Sequence, residues 1–202
     1  MIGIKDVCNQ PAYLTTRWIE LTKIKYPHEA MLEEARSLDH LFKLHRNERG
    51  GEEGHKEWSG LAIYGISSEK IGHYSEYGYR SHDEVPYRWC LEEEAPITTR
   101  YFKESFPHVK YHRIRFLRVK AGGWVNMHQD FETMIGPFPI NMALNMPEGC
   151  IMRLDDQVVP FEAGKAFAVN VSYRHDVRNV FSKEDRYIIS VIGELETLDH
   201  YA

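Results

Sequence analysis

The sequence predicts an α+β chain, mainly β, in which N-terminal helices precede a jelly roll, that is, a double-stranded β-helix. Three observations predict it. Met31, Ala35, Leu38, Phe42 and His45 fall at steps of three and four, the period of a helix with one buried face. From Tyr111 onward the segments become short and alternate between side-chain types, the period of strands. Gly122-Gly123, Pro147 to Gly149, Asp155-Asp156-Gln157 and Ser182 to Asp185 then supply turns at intervals that suit a sandwich or barrel. Helices first and strands afterwards is the α+β order.

The elements follow in chain order. A helix runs from Pro27 to His45, with Pro27 in its first turn, Glu29, Glu33 and Glu34 near its positive end, and Gly50-Gly51 beyond it. Asn47 to Lys56 is a polar surface loop, and Trp58 to Ile66, apolar and aromatic, is a first strand. Gly72 to Arg88 has neither helical nor strand period and reads as a long ordered loop; a short helix follows from Pro96 to Phe106, stopped by Pro107. Ile114 and Phe116 then oppose Arg113 and Arg115, Asn141 opposes Ile140 and Met142, Phe167 and Val169 oppose Ala166 and Ala168, and Ile189 opposes Arg186 and Ser190.

A length of 202 residues with 43% hydrophobic residues suits a single domain with a real core. Residues 1–110 form its helical and loop elaboration and 111–195 the jelly-roll core. A net charge of -5 without a long basic run excludes a nucleic-acid footprint. Met1 to Val7 holds no apolar signal stretch, and no run approaches the roughly 18 apolar residues of a membrane span, so a cytoplasmic location is expected. Cys8, Cys90 and Cys150 lack the number and spacing of a disulfide framework or zinc ribbon, which fits a reducing compartment.

The chemistry concentrates at the end of Arg115 to Asp130. His128 and Asp130 are two apart, so on an extended segment both side chains leave one face and offer an imidazole and a carboxylate to a borderline divalent metal. With 11 histidines in the chain, a His-x-Asp arises by chance in about one such sequence in two, so the pair needs a third partner. His175, at the polar end of the strand after Phe167, is the candidate. Two histidines and a carboxylate on one face of an octahedron leave sites open, as in non-haem Fe(II) oxygenases. Arg186 stands in a strand on the same side as Ser190, and an interior guanidinium calls for an anion such as a dicarboxylate.

His128-x-Asp130, His175 and Arg186 in this order resemble the Fe(II)/2-oxoglutarate-dependent dioxygenases. Arg115-x-x-Arg118-Val-x-x-Gly122, Asn170, His175-x-Val177-x-Asn179 and Arg186 resemble their aspartyl/asparaginyl β-hydroxylase-like branch, which also contains proline hydroxylases; the resemblance is strongest over Arg113 to Ser190. It implies a cupin-like fold and an enzyme that uses Fe(II), 2-oxoglutarate and O2 to hydroxylate an aliphatic C–H bond, with release of succinate and CO2. It further implies that His128, Asp130 and His175 ligate iron, that Arg186 holds the distal carboxylate of 2-oxoglutarate, and that Ser190 assists. Where the family commonly carries Arg-x-His, this chain has Pro139-Ile-Asn141, leaving the Asn141 amide as a donor to the cosubstrate.

For the substrate, an amino acid, peptide or protein side chain, strand alternation sends Arg115 and Arg118 to opposite faces, and Arg118 is the expected contact. The loop from Gly72 to Arg88 is the expected lid, with Tyr77 and Tyr79 as the residues that select substrate. Asn170 and Asn179 read as turn residues that satisfy the backbone. Two other functions compete: a non-oxidative metal cupin acting as isomerase or hydrolase, against which Arg186 argues, and a ligand-binding module without turnover, against which the full triad argues.

Overall fold

The structure is a computed structural model and describes residues 16–45, 54–108, 110–130 and 139–194. Its regular elements are β1 (Trp18–Glu20), α1 (His28–Ser37), β2 (Lys43–Leu44), β3 (Lys56–Gly65), β4 (Arg88–Trp89), α2 (Pro96–Glu104), β5 (Lys110–His128), β6 (Ile140–Ala143), β7 (Ile151–Leu154), β8 (Gln157–Val158), β9 (Ala166–Val169), β10 (His175–Arg178) and β11 (Arg186–Glu194). Every pairing is antiparallel, in the order β1-β9-β6-β11-β5-β10-β7-β8, with β3 on the other flank of β5 and β2 and β4 beside β3. Folded on itself, this sheet is a jelly roll. Among the described residues no helix is long and apolar enough to cross a membrane.

Strand β5 belongs to both walls. Its first part lies between β11, with Phe116 opposite Ile189, and β3, with Phe116 opposite Leu61; its last part pairs with β10, with Val125 opposite Val177. The chain changes partners at Gly122-Gly123, which the sequence reading takes for a turn. Instead the strand continues through a kink, with Gly122 at φ 76° and Glu57 on the facing strand at φ 55°. A Cβ on Gly123 would stand 2.8 Å from the Lys56 carbonyl. Asn179 ties the kink: its backbone N–H donates to the Gly123 carbonyl, its carbonyl accepts from Gly122 N–H, and its side-chain amide donates to the Val119 and Glu184 carbonyls. Asn170 similarly accepts from Ser172 N–H and donates to the Thr16 carbonyl, so both asparagines satisfy backbone as expected.

Side-chain alternation separates two cores. Facing the helices, Ile114 and Phe116 of β5, Met142 of β6 and Tyr187 and Ile189 of β11 bury Met31 and Ala35 of α1 and Phe102 of α2. Facing the interior of the roll, Val119, Val125, Met152, Phe167, Val169 and Val177 form the second core. Helix α1 stops at Leu38, short of the expected His45. Asp39 to Leu41 make a single 3-10 turn, and Lys43-Leu44 pair with β3. Asp39 explains the stop, because its carboxylate is held by Arg118 and by the Tyr187 hydroxyl. Glu34, in the second turn of α1, caps the neighbouring helix, accepting from the N–H groups of Ile97 and Thr98 and from the Thr98 hydroxyl. Helix α2 ends at Glu104, close to the expected stop.

Strand β1 has no counterpart in the sequence reading. Three residues long, it adds to the edge of β9. The expected loop from Asn47 falls largely outside the described residues, as do Cys8 and the amino-terminal segment. Cys90 and Cys150 are free.

Arg118 faces the helix layer. Its Nε donates to Ser59 Oγ, its guanidinium pairs with Asp39, and its plane lies 4.9 Å from the Phe42 ring centroid. Replacing it with alanine removes an ion pair, a hydrogen bond and aromatic packing at one stroke. Arg118→Ala is therefore expected to lower unfolding stability by about 2 kcal/mol, read as a lower denaturation midpoint at unchanged m-value. An unchanged midpoint would contradict the structural role.

Candidate active site

Strand β10 brings its first residue directly opposite the last residue of β5, so His175 and His128 are Cα partners. Asp130 follows His128 out of the strand, its N–H bonded to the Val171 carbonyl. The result is a cluster in which one potential ligand atom from each of His128, Asp130 and His175 lies within 4.8 Å of the others. The imidazole rings of His128 and His175 are 4.2 Å apart, and His128 Nε2 is 3.3 Å from Asp130 Oδ1.

Both rings are held in one tautomer by the backbone. His128 Nδ1 lies 2.7 Å from the Asn126 carbonyl and His175 Nδ1 lies 3.0 Å from the Tyr173 carbonyl. A carbonyl only accepts, so each Nδ1 carries the proton and each neutral ring presents the Nε2 lone pair. The electrostatics agree with a site for a cation. For His128, burial opposes the charged form, yet the hydrogen bonds to Asp130 and to the backbone prevail and raise its pKa. Burial and the neighbouring His128 lower that of His175. Asp130 works against burial too, but His128, His175 and Arg115 keep its carboxyl below the usual range. Two neutral-capable imidazoles and a carboxylate, converging with their lone pairs, fit a borderline divalent metal such as Fe(II).

The cluster opens into a cavity of about 540 Å³ inside the roll. At its far end Arg186 is 3% exposed, and its Nε and Nη2 meet no acceptor among the described residues. Burial pushes its guanidinium below the ordinary value, with only the Cys150 thiol opposing. Leaving a guanidinium so placed costs several kcal/mol unless an anion joins it. Asn141 and Ser190, both buried, line the same wall. The residues expected from the sequence for metal and cosubstrate thus share one cavity.

The expected substrate residues do not. Arg118 points away from the cavity, and Arg115 points in, with Arg113 beside it. The alternation argument holds, but the face is reversed. Counting back from His128 by twos reaches Arg118, whereas the register against β10 slips between Val125 and His128, an irregularity that inverts the parity. Tyr77 and Tyr79 are likewise absent from the cavity wall. The Tyr77 hydroxyl accepts from Gly72 N–H and its ring lies under the Lys70 ammonium. Tyr74 and Tyr87 from the same loop reach the mouth instead. They are joined there by His73, His82 and His112, with the His82 and His112 rings stacked 4.1 Å apart and His82 Nδ1 2.6 Å from the Tyr87 hydroxyl. Burial first, then the neighbouring imidazoles and Arg113, push His82 down to about 4, so it is neutral near neutral pH. Two further rings border the triad without having been singled out. His45 stacks on Trp58 at 3.8 Å, and His55, which accepts from Asn126 N–H, meets His128 edge-on at 5.2 Å. His45 reads from sequence only as part of a helical stripe.

The family model of aspartyl/asparaginyl beta-hydroxylase matches residues 28–192. Among curated proteins, no sequence matches. Solved structures similar in shape include the non-heme alpha ketoglutarate dependent carbocyclase SnoK from nogalamycin biosynthesis, at 12% identity over 91% of this chain and 81% of that one, with a TM-score of 0.50. HygX from Streptomyces hygroscopicus, solved with nickel and 2-oxoglutarate bound, aligns at 10% identity over 89% and 83%, with a TM-score of 0.49. A Pseudomonas putida prolyl-4-hydroxylase aligns at 14% identity over 93% and 96%, with a TM-score of 0.48. With a family match that spans most of its length, including every residue of the His-Asp-His cluster and Arg186, the chain belongs to the aspartyl/asparaginyl beta-hydroxylase family, a branch of the Fe(II)- and 2-oxoglutarate-dependent oxygenases.

Proposed function

We propose that this chain hydroxylates an aliphatic C–H bond of an amino acid, a peptide or a protein side chain, with release of succinate and CO2. The observation that carries the reading is the pairing, in one cavity, of a converging His-Asp-His cluster with a buried guanidinium, two of whose nitrogens meet no acceptor among the described residues. In this reading His128, Asp130 and His175 hold Fe(II), Arg186 holds the distal carboxylate of 2-oxoglutarate, and Asn141 and Ser190 donate hydrogen bonds to the cosubstrate. When bound, the metal and cosubstrate supply the oxidative decarboxylation that turns dioxygen into an oxidant for C–H bonds.

The chain's own work is positioning and exclusion. The two backbone carbonyls orient the imidazoles before any ion arrives, so little reorganisation opposes binding. Val125, Met152 and Val177 line the cavity near the triad and keep that wall apolar. At the mouth, Tyr74, Tyr87, His82 and His112 form a wall of rings with polar edges, suited to orient a small polar substrate. A non-oxidative metal cupin would have no use for the Arg186 clamp, and nothing in the cavity favours that reading over the oxygenase.

Three outcomes test the proposal. The protein should bind one Fe(II) per chain and, with 2-oxoglutarate and O2, form succinate. His128→Ala or His175→Ala should abolish both, whereas Gln129→Ala, at an exposed position, should not. Metal titration with succinate detection checks this, and equal iron affinity in wild type and both histidine variants would sink the triad. Arg186→Ala should raise the 2-oxoglutarate requirement by about tenfold or more with little change in iron binding, and Arg186→Lys should rescue poorly because an ammonium lacks the planar fork. Wild-type dependence in both variants would free Arg186 from this role. Once a substrate is found by mass-spectrometric screening of amino acids and peptides, Tyr74→Phe and Tyr87→Phe should shift substrate preference more than Tyr77→Phe or Tyr79→Phe. The reverse order would return selection to the residues outside the cavity wall.

A further inference from the structure

One row across the inner face is built of hydrogen-bond donors. The registers of β6, β11 and β5 set Asn141 opposite Ser190 and Ser190 opposite Arg115, so an amide, a hydroxyl and a guanidinium stand side by side on three adjacent strands. All three line the cavity, and none is more than 6% exposed. Arg115 gives one Nη1–H to the Ile71 carbonyl at 2.5 Å, while its buried Nε meets no acceptor among the described residues. Pro139, just ahead of Asn141, also lines the cavity but has no N–H to offer. Arg115 is therefore the row's only fixed charge, and an anion is what the row lacks.

Position along the strands indicates which anion. Arg186 lies on the same face of β11 as Ser190 and four residues before it, about 13 Å along the strand. Arg186 stands opposite Val119, three residues before the kink at Gly122, whereas Arg115 is seven residues before that kink and His128 six residues after it, where β5 pairs with β10. The donor row thus stands at the metal end of the cavity and Arg186 at the other, separated by the reach of an arginine side chain plus a short dicarboxylate. Arg113 sits one row nearer the mouth, opposite Ile192, with Nη1 on the Gly72 carbonyl at 2.7 Å.

We propose that Arg115, with Ser190 and Asn141 beside it, binds the 1-carboxylate of 2-oxoglutarate, the end that faces the metal. The inference rests on the reading that 2-oxoglutarate occupies this cavity with its distal carboxylate on Arg186. Arg115 then fixes the cosubstrate's near end as Arg186 fixes its far end, and Arg113 and the imidazoles at the mouth are left for the substrate.

The test is calorimetric and needs no turnover. The full chain is loaded with Zn(II) and titrated with 2-oxoglutarate and, separately, with pyruvate, which keeps the 1-carboxylate and the 2-oxo group but lacks the distal carboxylate. Arg115→Gln should weaken both ligands by about tenfold or more, whereas Arg186→Ala should weaken 2-oxoglutarate and leave pyruvate unchanged. Wild-type affinity for 2-oxoglutarate in Arg115→Gln would assign Arg115 to a carboxylate of the substrate instead and overturn the proposal. If Arg115→Gln does not fold, Arg115→Lys keeps the charge without the fork and should still weaken 2-oxoglutarate severalfold; wild-type affinity there overturns it equally. Failure of the underlying reading looks different, because the Zn(II)-loaded wild type would then not bind 2-oxoglutarate at all.

Discussion

The structure depends on one strand having to belong to two walls. Strand β5 spends its first half packed against helices and flanked by β3 and β11, and its second half paired with β10 in the opposite wall. Only a kink allows this, and the kink at Gly122-Gly123 leaves no room for a side chain where Gly123 meets the Lys56 carbonyl. Asn179 supplies the hydrogen bonds that the change of partner would otherwise leave open. Everything chemical follows from that strand: its end carries His128, its partner β10 begins with His175, and its first half carries Arg113 and Arg115 into the cavity.

The interior this creates is unusual for a protein core, because guanidiniums outnumber carboxylates on its walls. Arg113, Arg115 and Arg186 face Asp130 and Glu76, and Asp130 is already committed to the histidines. Charges of this kind are tolerated in a folded protein only when something completes them. By contrast, Asp176, next to His175 but facing away, is wholly buried and fully satisfied by Arg153 and Arg178. The same strand therefore shows a structural ion pair on one face and an uncompleted ligand set on the other.

Much of this was legible in the sequence, for reasons that can be named. The helix through Met31 and Ala35 and the strands after Tyr111 announce themselves by period, and His128, Asp130, His175 and Arg186 by residue type and spacing. What failed was anything that depended on backbone irregularity or on distant partners. Alternation puts Arg115 and Arg118 on opposite faces without saying which of them faces inward, and the slip between Val125 and His128 leaves no mark in the sequence. The apolar stripe continues to His45, and nothing near Asp39 signals that Arg118 and Tyr187 will capture its carboxylate and end the helix there. Tyr74 and Tyr87, rather than Tyr77 and Tyr79, line the cavity, in a loop that has no period from which to read direction. Strand β1 is three residues long, below the length at which alternation is a signal.

The two histidines share one backbone device, each bonded to the carbonyl two residues before it. That bond occupies Nδ1 and leaves Nε2 of each ring for a metal. Metal competence is thus written into the path of β5 and β10, and sequence drift at the mouth leaves it intact. On the proposed reading, exchanges at His82, Tyr87 or Arg113 would change the reactant without renegotiating the ion. A scaffold with that separation is a ready starting point for laboratory evolution: libraries confined to the mouth would sample recognition while the reactive centre stays constant.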